Sequence, residues 1–410
     1  MFKTIATNTL AQLVAKFFGA GLTLVTTYYI IRLAGLDLYG NLTKILVLVA
    51  VGFTAIDFGL NAEAVRSGTN KKRMHQILGE VLFARLFLSV LAVLTLNLLI
   101  FFLPGGYSTS VKSIFWLGSL AIIFQGIYTS GNAWFQSNLS YWRPTISIVV
   151  GSLFGTLLTL YFLVHQPTLF DLILANTLGY LVMALCTLFL LPSRPNPRGS
   201  KTNTIKPRGL QIWHGATSLL RRSLILGLIL IASVLASKLD TVVLGIFHSA
   251  GVVGEYGFAY RIFDVILVLP VFVMNAVYPV IVRDVTNKKP ASLIRQTTLS
   301  MAAIGLLTAI ILYLAAPLIN LVKPGLTLAT DVLRLLSCSL PLFYVTAPLM
   351  WSLISQKRDK IVLIIYVAAA LLNLCLNLAL IPDYGARAAA INTGLTELFI
   401  FICLLYFSRL

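Results

Sequence analysis

The sequence has few charged residues, cysteines and histidines for its length. Charged residues make up 11% of the 410 positions, and there are four cysteines and four histidines. The cysteines lie singly within apolar runs, with neither a close pair nor the spacing of metal ligands. We therefore predict no disulfide framework, no metal site and no cofactor; the cysteines are Cys186, Cys338, Cys375 and Cys403.

The chain also lacks sequence features of a membrane enzyme or an ATP-driven pump. It has no glycine-rich nucleotide-binding loop. A polyprenyl-dependent glycosyltransferase, or a polysaccharide polymerase or ligase, would need a sizeable outer loop with catalytic groups. The short connections near 104–112, 164–168 and 247–255 contain a single carboxylate, Glu255. The sequence therefore predicts a protein that is not an enzyme.

Hydrophobic residues are abundant and occur in long runs. They make up 58% of the chain, against about 45–50% in soluble domains. A helix that crosses a bilayer needs about 20 mostly apolar residues. We therefore predict an all-α polytopic membrane protein with twelve transmembrane helices, at about 7–33, 40–64, 77–103, 113–136, 142–163, 169–191, 223–246, 256–282, 298–322, 330–355, 361–380 and 385–407.

The longest connection divides the predicted helices into two sets of six. Residues 192–222 are rich in proline, glycine, serine and basic residues, which is typical of a linker. They separate an N-terminal six-helix lobe, 1–191, from a C-terminal six-helix lobe, 223–410. The end of the linker, 209–222, is predicted either to form a short interfacial helix or simply to lead into the seventh span.

The distribution of basic residues predicts the orientation in the membrane. Of the 31 Lys and Arg residues, 21 lie in one set of connections and ends, and four lie in the alternate set. Because cytoplasmic loops carry the excess of basic residues, we predict a multi-pass protein of the cytoplasmic (inner) membrane with both termini in the cytoplasm. The net charge of +18 then reflects topology and contact with anionic membrane lipids, and nucleic acid is not a predicted partner.

A short motif occurs once in each half. Residues 38–44 read LYGNLTK and residues 255–261 read EYGFAYR. Each copy opens an even-numbered span from the predicted outer side, although a chance match is the alternative. The offset of six spans predicts two lobes related by a parallel pseudo-two-fold repeat. We expect such lobes to enclose a cleft and to move by alternating access.

Six cations lie within the predicted spans. Each costs about 2.5–3.5 kcal/mol at a helix centre, so we expect them to face a wet cavity or a partner. Four of these cations and two carboxylates lie in the outer half, which favours an anionic cargo such as a phosphate or pyrophosphate. Lys16 and Arg85 either extend this lining or reach back to the cytoplasmic interface; the predicted substrate-binding cations are Lys44, Lys238, Arg261, Arg334, Lys16 and Arg85.

Polar residues accompany these cations. Arg261, Asp264 and Asn275 fall within a helical stripe of roughly 60°, which predicts a cavity wall; a local Arg261–Asp264 ion pair is the alternative. Asn61 lies one turn after Asp57 and is a second predicted polar lining residue with Asn275. Buried carboxylates titrate near neutral pH when they are desolvated. The candidates for ion or proton coupling are therefore Asp57, Asp240 and Asp264.

The chain resembles a known transporter family in three stretches near its start and one near its end. These are the first span, the G-x-x-x-Y-G turn at 35–40 and the Asp-Phe-Gly-Leu ending of the second span at 57–60. The late stretch 381–397, IPDYGARAAAINTGLTE, is similar to the family's turn between spans 11 and 12. On these residues the chain resembles flippases of the Wzx type for polysaccharide and O-antigen. They belong to the multidrug/oligosaccharidyl-lipid/polysaccharide exporter superfamily.

The resemblance implies a function that composition and spacing do not give. It implies transport of an undecaprenyl-pyrophosphate-linked oligosaccharide from the cytoplasmic to the outer leaflet of a bacterial or archaeal membrane. It also implies coupling to a proton or sodium ion, and cooperation with polysaccharide assembly enzymes. The alternative is a cation or drug antiporter of the same superfamily. That alternative is disfavoured because cations outnumber carboxylates within the spans.

Overall fold

The computed structural model describes residues 2–67, 71–138, 140–191, 209–271, 273–274, 277 and 290–408. Within these ranges the chain contains helices and no strand, which confirms the predicted all-α class. The helices are long because apolar runs of more than 20 residues are interrupted by few glycines or prolines.

The described first half of the chain contains seven α-helices. In this half α4 packs on α5, and α7 packs on both α5 and α6. A π-helical stretch, Ile30–Ala34, follows the first helix. The helices are α1 (Phe2–Tyr29), α2 (Leu36–Asp57), α3 (Leu60–Ser67), α4 (Lys71–Phe102), α5 (Thr109–Ser137), α6 (Trp142–Val164) and α7 (Leu169–Leu190).

The second half, within the residues that the structure describes, contains five further long α-helices. Among them α11 packs on α9, α10 and α12. A 3-10 stretch, Ala316–Leu321, follows α10. The helices are α8 (Gly209–Phe247), α9 (Ala250–Ile266), α10 (Pro290–Ala315), α11 (Thr327–Ser355) and α12 (Asp359–Ser408).

The observed helices agree with the predicted spans. Ten helices in the described ranges are long and apolar enough to cross a membrane. One of them, α12, contains both the eleventh and the twelfth predicted span, separated by the non-helical residue Gly385 (φ 62°). The eighth predicted span begins with α9, and most of its second half lies outside the described residues. The protein is therefore a multi-pass membrane protein.

A proline accounts for the end of α9. The helix stops at Ile266, four residues before Pro270, whose ring would clash with the Ile266 carbonyl in a continuous helix. The freed Ile266 carbonyl accepts a hydrogen bond from the Tyr344 hydroxyl of α11 at 3.2 Å. This bond satisfies a backbone acceptor that would otherwise have no partner at the helix end.

The structure distinguishes between the two predictions for the end of the linker. Residues 209–222 form the first turns of α8, which continues to Phe247, so this segment leads directly into the seventh span. The Trp213 ring packs edge-on against Phe83 and Phe87, with centroid distances of 5.7 Å and 6.2 Å. The rest of the predicted linker, 192–208, lies outside the described residues.

By its internal contacts, the chain divides into two compact units. One unit contains Met1–Thr26, Leu48–Phe102 and Thr109–Gly227. The other contains Thr27–Val47, Leu103–Ser108 and Leu228–Leu410. The two six-helix lobes with boundaries at 191 and 223 stay a prediction.

Candidate functional site

The two copies of the Tyr-Gly motif pack on each other. A Cβ atom on Gly40 would lie 1.7 Å from the carbonyl oxygen of Ala250, and one on Gly257 would lie 2.7 Å from Thr43 Cγ2. Such distances are below van der Waals contact, so glycine is required for this close approach. The start of α2 and the helix α9 therefore meet almost backbone to backbone. Gly40 of the first copy lies against Ala250, just before the second copy, and Gly257 of the second copy lies against Thr43 of the first.

The first motif ends in Lys44, which is buried. Its side chain is 2% exposed, and Nζ donates a hydrogen bond to the Gly106 carbonyl at 2.5 Å. The ammonium also lies 5.5 Å from the centre of the Tyr107 ring. Burial raises the pKa of the Tyr107 hydroxyl, which therefore stays neutral and donates to the Val242 carbonyl at 3.4 Å. Lys44 thus has an acceptor and an aromatic face within the protein.

The second motif ends in Arg261, which lies beside an ion pair. Lys238 Nζ of α8 is 2.9 Å from Asp264 Oδ2 of α9 and 4.1 Å from the centre of the Tyr260 ring. Arg261 is partly exposed and has no hydrogen bond or ion pair with any described residue. The predicted alternative, a local Arg261–Asp264 pair, is therefore not formed, because Asp264 binds Lys238 instead.

Arg85 lies in a buried network at the break between α2 and α3. The side chain is 0% exposed. Its nitrogens donate to the Ile56 carbonyl, Asp57 Oδ1, Asn61 Oδ1 and Ser130 Oγ at 3.0–3.3 Å. The guanidinium thus binds the Ile56 carbonyl and the Asp57 side chain at the end of α2, and the Asn61 side chain in α3. The structure brings together three predicted site residues here, and these contacts satisfy the charge within the protein.

Two residues with positive φ angles produce this break. Phe58 has φ 43° and Gly59 has φ 69°, values that right-handed helices do not contain. A Cβ on Gly227 of α8 would lie 2.6 Å from the Phe58 ring. The Asp-Phe-Gly-Leu ending noted in the sequence is therefore a tight turn whose phenyl ring packs on a glycine of α8.

Asp240 of α8 is fully buried and hydrogen-bonded. Its carboxylate accepts from the Tyr256 hydroxyl at 2.5 Å, the Thr241 amide at 2.5 Å and the Thr393 hydroxyl at 3.0 Å. Its side chain is 0% exposed. These donors come from α8, α9 and α12, so a single carboxylate connects three helices.

A row of amides on α12 was not predicted from the sequence. Asn392 donates to Asn377, Asn377 donates to Asn373, and Asn373 donates to Thr396, with distances of 2.7–3.1 Å. All three asparagines are 0% exposed. The signal was available, because Asn373 and Asn377 lie one helical turn apart in an otherwise apolar run. Thr393, the residue after Asn392, donates to Asp240.

The remaining predicted site residues are Arg334, Lys16 and Asn275. The Arg334 guanidinium lies 5.3 Å from the centre of the Tyr313 ring, and its Nε has no hydrogen-bond partner in the described part of the chain. Lys16 lies on an exposed part of α1. Asn275 lies outside the described residues.

Comparisons with known proteins agree with this fold. The family model described as "Polysaccharide biosynthesis protein" matches residues 5–285, and the model described as "MatE" matches residues 224–379. No curated protein sequence matches the chain.

Several solved structures share the fold at low sequence identity. The lipid II flippase MurJ in an inward closed conformation has a TM-score of 0.75 and 14% identity, with 98% of this chain and 87% of that chain covered. An inward-facing multidrug resistance MATE family transporter has a TM-score of 0.71 and 15% identity, covering 95% and 94%. A point mutant of the Vibrio cholerae MATE transporter VcmN has a TM-score of 0.66 and 16% identity, covering 99% and 96%.

Proposed function

The chain belongs to the polysaccharide biosynthesis protein family, within the multidrug/oligosaccharidyl-lipid/polysaccharide exporter superfamily, and we propose that it is a flippase. Its proposed cargo is a polyprenyl-pyrophosphate-linked oligosaccharide. The cargo moves from the cytoplasmic to the outer leaflet of the inner membrane by alternating access of two six-helix lobes. In this proposal both chain termini are cytoplasmic.

The observation that carries this proposal is the state of Arg261. A cation within a membrane-spanning helix is costly unless it has a partner or water, and Arg261 has no partner among the described residues. A guanidinium binds two oxygens of a phosphate at once. We therefore propose Arg261 and Lys238 as the first contacts of the pyrophosphate, with Lys44, Arg334, Lys16 and Arg85 as further candidates.

The buried Asp240 is the proposed coupling residue. A carboxylate that is fully buried has lost its hydration, so binding of a proton or a sodium ion changes its interactions strongly. Its partners lie on α9 and α12, so a change in its charge state acts on both helices. Asp57 and Asp264 are the other coupling candidates, although each already binds a cation.

A flipping assay in vesicles tests the function. The purified protein is reconstituted with a fluorescent polyprenyl-pyrophosphate oligosaccharide, and an impermeant quencher reports the lipid that reaches the opposite leaflet. We expect flipping by the wild type and its loss in the double variant Lys238→Gln/Arg261→Gln. Flipping at the wild-type rate by a correctly folded double variant would contradict the assigned roles of these cations.

Drug or cation antiport is the second candidate function. The MatE model matches residues 224–379, and this range contains two of the carboxylates that a cationic cargo would need, Asp240 and Asp264. Uptake of a cationic dye into the same vesicles distinguishes the candidates. The flippase proposal expects no dye uptake, whereas the antiporter expects uptake that is lost in Asp264→Asn.

A further inference from the structure

We propose that Asp264 is a displaceable counterion, which neutralises Lys238 in the empty protein and is replaced there by phosphate oxygens of the cargo. This inference rests on the proposed function and adds a residue that controls how tightly the anion is held. It concerns Lys238 of α8 and the stretch 260–264 of α9.

The ion pair has the geometry of a replaceable contact. A single distance of 2.9 Å joins Lys238 Nζ to Asp264 Oδ2, and the two side chains are 18% and 40% exposed. Within the described chain Asp264 has no other hydrogen-bond partner. The ammonium has three donors, and the carboxylate accepts from it through one oxygen. An anion with several oxygens can therefore compete with the carboxylate for the ammonium group.

Lys238 would keep its position when Asp264 leaves. Its ammonium lies 4.1 Å from the centre of the Tyr260 ring, and a cation over an aromatic face is attracted to it. The Tyr260 hydroxyl donates to the Ser237 carbonyl at 2.8 Å, which fixes the ring against α8. The cation is thus held by a neutral group, and its three donors remain available to the cargo.

Displacement of Asp264 frees the charge of Lys238 and so adds a second positive charge to that of Arg261. Arg261 lies three residues before Asp264, on a neighbouring part of the α9 surface, and has no partner among the described residues. While Asp264 is paired with Lys238, the side chains of Lys238, Arg261 and Asp264 together carry a net charge of +1. When the carboxylate turns away, the ammonium of Lys238 and the guanidinium of Arg261 are both available to phosphate oxygens, to which charged donors form strong hydrogen bonds.

The counterion has opposite effects on the empty and the loaded protein. In the empty protein it lowers the cost of an unpaired ammonium within a membrane-spanning helix. In the loaded protein it competes with the cargo and promotes its release. Removing the charge of Asp264 should therefore tighten anion binding and slow turnover at the same time.

Asp264→Asn tests this inference, because it removes the charge and keeps the shape. Inorganic pyrophosphate is titrated into the purified full chain in detergent by calorimetry. For Asp264→Asn we expect pyrophosphate binding about fivefold tighter than in the wild type and slower flipping of the labelled lipid. For Lys238→Met we expect weaker pyrophosphate binding than in the wild type. Asp331→Asn is the matched control, because Asp331 is 39% exposed and pairs with Arg387 at 2.7 Å; its affinity should not change.

The inference is overturned if Asp264→Asn, with a wild-type elution profile, binds pyrophosphate no more tightly than the wild type does. Asp264→Ser provides a second variant should the first fail to fold. Failure of the wild type to flip the labelled lipid would contradict the proposed function instead. The two outcomes are distinguishable because the inference is judged by the pyrophosphate affinities of variant and wild type, whereas the proposed function is judged by flipping in the wild type.

Discussion

Among single residues, the cations within the predicted spans differ in how their charge is satisfied. Arg85 has four acceptors and no exposure, and Lys44 has a carbonyl. Lys238 has a carboxylate. Arg261 has no such partner in the described chain. Each of these cations lies within an apolar stretch of sequence, where an unpaired charge is costly. Only the local contacts separate structural cations from candidates for cargo binding.

Arg85 is predicted to stabilise the α2–α3 break. Arg85→Met should lower the free energy of unfolding by about 2–3 kcal/mol, because hydrogen bonds to a charged group are lost and buried acceptors are left unpaired. Thermal unfolding in detergent measures the effect. Arg387→Met is the control, because Arg387 is 62% exposed and a surface ion pair contributes about 1 kcal/mol or less. Equal effects of the two variants would refute a special role of Arg85.

Asp240 is predicted to set the ion dependence of transport. In Asp240→Asn the wild-type response of the flipping rate to a sodium or pH gradient should disappear, because the side chain no longer changes its charge. The measurement is flipping in vesicles with each gradient imposed separately, which also identifies the ion. A variant that still responds to the same gradient as the wild type would rule Asp240 out as the coupling residue.

Between helices, the repeated glycine determines how closely α2 and α9 approach. Gly40→Val should destabilise the protein by about 1–3 kcal/mol or more, because the new side chain overlaps the Ala250 carbonyl. Gly21→Ala is the matched control, since a Cβ there meets no atom within 4 Å and alanine favours a helix. Unfolding in detergent compares the two; an equally stable Gly40→Val would show that the helices can separate without cost.

The end of α9 provides a second prediction about helix packing. Tyr344→Phe should cost about 1 kcal/mol, because the Ile266 carbonyl loses its donor. In a Pro270→Ala background the helix can supply an amide to this carbonyl, so the same substitution should cost less. A double-mutant cycle of unfolding free energies measures the difference. Additive effects would mean that Pro270 and Tyr344 act independently.

For the protein as a whole, the distribution of basic residues predicts orientation. In a variant with the four native cysteines replaced by alanine, Lys112→Cys should react with an impermeant maleimide in intact cells. Lys201→Cys should react only after the membrane is permeabilised, because the basic linker is predicted to be cytoplasmic. The reverse pattern of labelling would place both termini outside.

The sequence predicted the helices better than it predicted their contacts. The twelve apolar segments are recognisable because span length and hydropathy are properties of consecutive residues. The Tyr-Gly repeat was also recognised, but its sequence does not say that one copy packs on the other. The spacing of Asn373 and Asn377 indicates a polar stripe on α12, but it does not indicate that Asn392, 15 residues after Asn377, binds to it.

The order of apolar and polar residues is enough to show that this protein is a bundle of membrane-spanning helices and which of its charges lie within the spans. The partner of each charge became known only from the folded chain. Lys44 binds a carbonyl 62 residues away, and Asp240 binds a hydroxyl 153 residues away. Such pairs depend on how the helices pack, and the residues near each charge in sequence do not specify that packing.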